Sequence, residues 1–254
     1  MDKLKVLARL VIVATIFAAA QGQASTGAKL EKANIDPGNI SSLQRGARNF
    51  MNYCSGCHSA QYVRFNSIGK YLGLSDEDLV DNLMFNAEKT FETIQSSMPA
   101  DDAKRWYGTA PPDMSLMARA KGADYVYNFL KGFYLDPESP TGVDNTILEG
   151  TSMPHVLWEL QGYQKALYSE HVETHADGST TTTHEFEKFD LVSSGKLNLE
   201  DYDDFVRDTV NFLAYIAEPV RAERRKLGTW VLIYLAFFLI IARMLKKQIW
   251  KDVK

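Results

Sequence analysis

Cys54-Ser55-Gly56-Cys57-His58 is the stretch on which the reading of the whole chain turns. It holds the only two cysteines of 254 residues, three positions apart, with a histidine immediately after. Three common chemistries use such a pair: a disulfide in an oxidising compartment, a redox dithiol, or half of a zinc site. A dithiol of the thioredoxin kind sits in a βαβ setting, and no strand-like run precedes this motif. A zinc site needs further ligands, and there is no third cysteine. The histidine points to a fourth chemistry. Two thiols so spaced on a helix end can each add across a vinyl group of one haem, and His58 is then delivered beneath the iron as an axial ligand. The motif predicts one covalently bound haem c held by Cys54, Cys57 and His58.

The segment before the motif reads as the helix that carries it. Ser41 or Ser42 can cap a helix running to about Tyr53, with Leu43, Ala47, Phe50, Met51 and Cys54 at helical spacing. Gly46 sits beside that stripe, where a missing side chain permits a close helix crossing. A second helix is expected from Ser75, with Asp76, Glu77 and Asp78 in its first turn, and a third from Ala123 to Lys131, ended by Gly132. Residues 86–113, punctuated by Pro99, Pro111 and Pro112, read as irregular. Ala166 to Thr174 and Thr180 to Phe189 are strand-like around a turn at 176–179, a β-hairpin insertion. Its histidines, His171, His175 and His184, read as solvent-facing, since no thiolate or carboxylate pattern completes a metal site. Asp201 to Ala217 is amphipathic, with Tyr202, Phe205, Val206, Thr209, Val210, Leu213 and Ile216 on one side and Pro219 ending it. This helix and the Gly46 helix are expected to cross and close the haem pocket.

The second axial ligand is less sharply marked. A thioether favours reduced iron and raises the potential, which suits an electron carrier. Of eight methionines, Met84, Met98, Met114, Met117 and Met153 are candidates. Met98-Pro99 and Met153-Pro154 both stand in loop-like context, and spacing does not decide between them.

The ends of the chain address it to a membrane. Lys3, Lys5 and Arg9 precede an apolar core from Leu10 to Ala20, and Gly22-Gln23-Ala24 offers small residues for cleavage, so 1–24 reads as an export signal. Leu227 to Ala242 carries no charge over 16 residues, with Trp230 and Trp250 suited to the two interfaces. It reads as a C-terminal anchor in membrane lipid, followed by Lys246, Lys247, Lys251 and Lys254 on the cytoplasmic side. The expected location is a bacterial inner membrane, crossed once, with the haem domain in the periplasm. The exported part, 25–220, holds 16 Lys and Arg against 29 Asp and Glu, a formal −13. Such acidity disfavours nucleic acid and can steer a basic partner.

The motifs together resemble the cytochrome c1 family, the haem subunits of quinol–cytochrome c reductase. The resemblance runs from Arg45-Gly46 through Tyr53 to Ser59, then Ala110-Pro111-Pro112-Asp113-Met114-Ser115, Ala118-Arg119, Gly122 and Asp124-Tyr125-Val126. Ala217-Glu218-Pro219, the basic run to Lys226 and the terminal apolar helix complete it. The resemblance implies that Asn145, Gly150 and Met153-Pro154 form a ligand-presenting stretch, with Met153 as sixth ligand. It implies that Arg119 and Tyr125 hold the haem propionates, as guanidinium–carboxylate pairing allows. Pro111 or Pro112 could offer a carbonyl to the His58 ring N–H. After Met153-Pro154 the family continues with prolines, whereas this chain runs His155-Val156-Leu157-Trp158 and sets a second donor beside Met153.

The implied fold is mainly α: a cytochrome c-like domain over 25–220, with loop insertions and a hairpin at about 163–198, then a transmembrane helix and short tail over 221–254. The implied function is electron transfer without an active site of its own. Electrons would come from a Rieske iron–sulfur protein and pass to a cytochrome c, in a complex with cytochrome b. The alternative is an anchored cytochrome c that feeds a terminal oxidase or reductase directly.

Overall fold

Asn39 starts the helix that carries the motif. Its side chain accepts the Ser42 N–H at 3.1 Å, so helix α1 runs Ile40–Tyr53 and the cap lies just ahead of the serines expected to supply it. Ser42 is committed elsewhere, its Oγ donating to Asp208 at 2.6 Å inside the core. Asn39→Ala should therefore cost about 1 kcal/mol. A melting curve of the full-length protein should fall by roughly 2–4 °C, and an unchanged curve would mean that the cap adds nothing.

The structure, a computed structural model, describes residues 30–174 and 180–251. The export signal expected at 1–24 and the hairpin turn expected at 176–179 lie outside these residues. After α1 the chain forms β1 (Ala60–Arg64), α2 (Phe65–Leu72), α3 (Asp76–Asn82), β2 (Thr93–Ile94) and α4 (Ala100–Tyr107). Then come α5 (Met117–Ala120), α6 (Ala123–Lys131), β3 (Phe133–Leu135), β4 (Val143–Asn145) and α7 (Trp158–Gln161). The chain ends with β5 (Gly162–Thr174), β6 (Thr180–Ser194), α8 (Leu199–Ala217) and α9 (Arg221–Ile249). Helices predominate, with three antiparallel two-stranded sheets: β1–β2, β3–β4 and β5–β6.

Two elements interrupt the stretch 86–113 that the sequence suggested was irregular. β2 pairs with β1 through Ala60 opposite Ile94, and α4 follows Pro99. The polar signals of α4 were present, with Asp101 and Asp102 in the first turn and Lys104 and Arg105 in the last. It lacks an apolar stripe, because Ala103 is its only buried residue. The helix starting at Ser75 has its capping box with Asp78, and α6 ends at Lys131 before Gly132 as expected. The hairpin is longer than its expected strands, with Tyr163 opposite Ser193 at the base and Ala166 opposite Phe189 further out.

The core is organised by α1 lying across α8. Leu43, Ala47 and Phe50 meet Val206, Val210 and Phe212, all essentially fully buried. Phe50 and Phe212 have ring centroids 5.9 Å apart. Polar groups line the same seam. Arg45 Nε and one terminal nitrogen donate to the two Asp208 oxygens at 2.5 and 3.0 Å, and Asn49 Nδ2 donates to Phe205 O and Thr209 Oγ1, each at 3.2 Å. The crossing is close because α1 has no side chain at Gly46. A Cβ built there would stand 2.0 Å from the Asp208 carbonyl oxygen. α1, at whose end the motif begins, is thereby fixed against α8, a helix of 19 residues.

Beyond Pro219 the character changes. α9 exposes nearly all its apolar side chains, from Leu227 to Ile249. Its segment Glu223–Ile249, 27 residues, is long and apolar enough to cross a membrane. At ~1.5 Å per residue it rises about 40 Å, more than the ~30 Å of a bilayer core. The 16-residue uncharged run Leu227 to Ala242 thus sits inside a longer helix.

Candidate functional site

α1 unwinds into the motif through a tight turn. Cys54 and Ser55 both donate to Phe50 O, at 2.9 and 3.0 Å, and Cys57 and His58 both donate to Cys54 O, at 3.0 and 2.8 Å. Ser55 is buried, its Oγ donating to Met51 O at 2.7 Å. The bond pattern folds the backbone back on itself, so Cys54, Cys57 and His58 come to one half-buried place. Both cysteines are free thiols. Burial, and secondarily Cys57, pushes the Cys54 thiol up to about 12, and burial also raises Cys57. Such thiols hold little thiolate at neutral pH, which argues against a nucleophilic redox dithiol. Among the described residues, no group of three or more His, Cys, Asp or Glu gathers as a metal site.

His58 is oriented by a single hydrogen bond. Its Nδ1 lies 2.8 Å from Pro112 O. A carbonyl can only accept, so Nδ1 carries the proton and Nε2 keeps its lone pair. Burial lowers the His58 pKa, offset in part by the Pro112 carbonyl and Asp113, which favours the neutral ring. Of the two prolines that sequence left open, Pro112 makes this contact, and Pro111 lies half-buried beside it. The proline segment is pinned by hydrogen bonds that the sequence did not mark. Met114 N donates to Ser59 O at 2.7 Å, and the Asp113 carboxylate accepts Gln61 N at 2.8 Å and Ser115 N at 2.9 Å. Ser115 Oγ accepts Tyr62 N at 3.1 Å. An Asp two residues before a Ser, just after a proline pair, is a turn-forming pattern that could have flagged them.

The methionine candidates separate by location. Met84 is buried in the core, and Met114 and Met117 pack half-buried against it. Met98 is half-buried on a loop stitched to the motif itself: Ser96 N donates to Ser59 Oγ and Ser96 Oγ donates to Gly56 O, both at 2.8 Å. Met98 N in turn donates to Ser96 Oγ at 3.0 Å. Met153 is half-buried on a separate loop that leaves β4, rooted by Asn145 Nδ2 donating to Phe129 O at 2.8 Å.

A row of rings ties that second loop to α6. Tyr125 stacks on Phe129 at 6.4 Å between centroids, Phe129 meets Phe133 edge-on at 5.2 Å, and Phe133 stacks on His155 at 5.0 Å. His155 is buried, and among the described residues its ring nitrogens have no well-formed hydrogen bond, the Gly162 backbone being the polar group that partly offsets its burial. Burial lowers its pKa to about 4, so it stands neutral at physiological pH. Tyr125 is half-buried, its hydroxyl pKa raised by burial. Arg119 is exposed at the end of α5, which packs on α6. Lys121, which sequence reasoning missed, places its Nζ 5.6 Å from the Tyr125 ring centroid.

The donor set fits a covalently held haem. Two free thiols three apart stand beside a neutral imidazole whose Nδ1 is anchored, and Cys54, Met114, Tyr125, Phe129 and Val156 form half-buried apolar surface against one core. The model of the Cytochrome C1 family matches residues 34–253. Cytochrome c1 of Allochromatium vinosum is 44% identical over 253 residues, covering 100% of both chains. A protein of Nitrosomonas europaea named ammonia monooxygenase gamma subunit is 37% identical, also over 100% of both. Cytochrome b/c1 of Bradyrhizobium diazoefficiens is 25% identical, covering 83% of this chain and 33% of its own length. The chain belongs to the cytochrome c1 family.

Proposed function

We propose that the chain accepts electrons from a Rieske iron–sulfur protein and passes them to a cytochrome c, using one haem bound covalently through Cys54 and Cys57. Family membership supplies the coarser part: a haem electron-transfer subunit of the cytochrome bc1 complex. The haem, when bound, supplies the one-electron couple. His58 Nε2 and the Met153 thioether would hold its iron. Arg119 and Tyr125 would hold its propionates, and Pro112 would keep the His58 ring in register. The observation that carries the proposal is the 2.8 Å His58–Pro112 hydrogen bond, since it presents an Nε2 lone pair next to two free thiols. A name that joins cytochrome b and c1 in one chain supports cytochrome b as a neighbour. α9 would anchor the protein in the inner membrane, with the haem domain periplasmic and the tail cytoplasmic.

The test is purification from native membranes with a pyridine haemochrome assay. One covalent c-type haem per chain, with cytochrome b and a Rieske protein co-purifying, is the expected result. No covalent haem would return Cys54 and Cys57 to an ordinary thiol pair. A terminal oxidase in place of cytochrome b would favour the direct-feeding alternative, and a monooxygenase would favour the role in the Nitrosomonas protein's name.

The −13 charge of residues 25–220 makes a second expectation. Electron transfer to a basic cytochrome should slow roughly tenfold or more as salt rises from 0.01 to about 0.5 M, because the Debye length contracts from ~30 Å to a few ångströms. Stopped-flow reduction of the acceptor across a salt series reads this directly. A flat profile would assign the acidity to solubility.

A further inference from the structure

Asp144 is a buried carboxylate, 6% exposed, that forms no ion pair among the described residues. A buried charge without a cation is costly unless hydrogen bonds compensate it. The compensation here comes wholly from backbone. Oδ1 accepts the N–H of Asn145 at 2.7 Å, of Gly150 at 2.9 Å and of Thr151 at 3.2 Å, and Oδ2 accepts Gly150 N at 3.0 Å. One side chain therefore gathers both ends of the loop that follows β4.

The rest of the loop is arranged around that clamp. Asn145, 1% exposed, donates from Nδ2 to Phe129 O and accepts Ile147 N on Oδ1 at 2.9 Å. Thr146 N donates to Gly132 O at 3.0 Å. Gly150 takes φ +71°, a conformation that L side chains rarely adopt, and so turns its N–H toward Asp144. Thr151 is buried. Ser152 and Met153 make no hydrogen bond among the described residues. The Met153 thioether is thus placed by its two neighbours: Thr151, two residues upstream and directly on the carboxylate, and His155, two residues downstream, buried and stacked on Phe133.

We propose that Asp144 is the positioning residue for Met153, its carboxylate holding the Asn145, Gly150 and Thr151 N–H groups so that the loop presents the thioether in one place. The inference rests on Met153 being the sixth ligand, and it extends that reading to a residue with no contact to the iron. Charge-assisted bonds to three backbone donors resist opening, and a neutral amide that turns an NH2 toward one of those donors does not.

The experiment compares wild type with Asp144→Asn, Gly150→Ala and Met153→Leu in detergent-solubilised full-length protein. Its readouts are covalent haem content, the weak near-infrared band of methionine–iron ligation, and carbon monoxide binding to the reduced form. Asp144→Asn is expected to retain covalent haem while the fraction that binds carbon monoxide rises roughly tenfold and the near-infrared band weakens. Gly150→Ala, which strains the same turn without a clash, should move both signals in the same direction. Met153→Leu should abolish the band. A wild-type band and wild-type carbon monoxide reactivity in Asp144→Asn, with the band lost in Met153→Leu, would overturn the role of Asp144 and leave the ligand assignment standing. A band that survives in Met153→Leu would overturn the ligand assignment itself, and the positioning role with it. If Asp144→Asn fails to accumulate, Gly150→Ala decides: altered signals support the clamp and wild-type signals overturn it.

Discussion

Met153→Leu is expected to keep its haem covalently attached and to show a midpoint potential lower by on the order of 0.3 V, a fraction of the ~0.8 V range that axial ligands command. Attachment would depend on Cys54 and Cys57, which the substitution does not touch. Leucine approximates the bulk of methionine, so packing of the half-buried site changes little. What is lost is the soft donor that favours reduced iron. For a one-electron couple each ~59 mV is a tenfold change in equilibrium constant, so ~0.3 V amounts to about five orders of magnitude. The donor could then no longer reduce the protein to any useful extent. A spectroscopic redox titration, with a haemochrome assay on the same sample, makes the measurement. An unchanged potential would sink the assignment and transfer it to Met98. The Met98 loop is bonded to Gly56 and Ser59, within and just after the motif, whereas Met153 stands on a separate loop. Met98→Leu should stay near the wild-type potential.

Gly46→Ala is expected to lose about 3–4 kcal/mol of stability, above the usual ~1–3 kcal/mol of overpacking. In an open helix the same change would gain up to ~1 kcal/mol through chain entropy and propensity. Here the new Cβ would stand 2.0 Å from the Asp208 carbonyl oxygen and 2.7 Å from Phe212 Cβ. The first of these is backbone, so neither rotamer change nor local repacking can relieve it. α1 and α8 must separate, and that stretches the Ser42 and Arg45 bonds to Asp208 along the seam. At roughly 2–4 °C per kcal/mol the melting temperature should fall by about 10 °C. Gly69→Ala is the graded comparison, since its Cβ would meet the movable end of Leu79 at 2.6 Å. Equal melting temperatures for the two variants would mean that the α1–α8 contact is softer than its geometry suggests.

Much of the architecture was legible because its signals are local. Ser75 with Asp76, Glu77 and Asp78, Gly132 after Lys131, and Pro219 after Ala217 all mark helix ends by backbone chemistry within a turn or two. The elements that were missed lack a local signature of comparable strength. α4 buries only Ala103, and α1 takes its cap from Asn39 because Ser42 is drawn into the core by Asp208. No inspection of Ser42 and its neighbours shows that pull, since the partner stands 166 residues away.

The site divides along the same line. Covalent spacing alone determined that Cys54, Cys57 and His58 would meet at one helix end, that 16 uncharged residues would form an apolar helix, and that the middle of the chain would be acidic. Only the tertiary structure chose Pro112 over Pro111 for the His58 ring and brought the Ser96 loop onto Ser59 and Gly56, 37 and 40 positions away. The physical reason is reach. Properties that depend on residues a few bonds apart are written in their order, whereas a hydrogen bond that spans 54 positions, as His58 to Pro112 does, exists only once packed helices bring its two ends together.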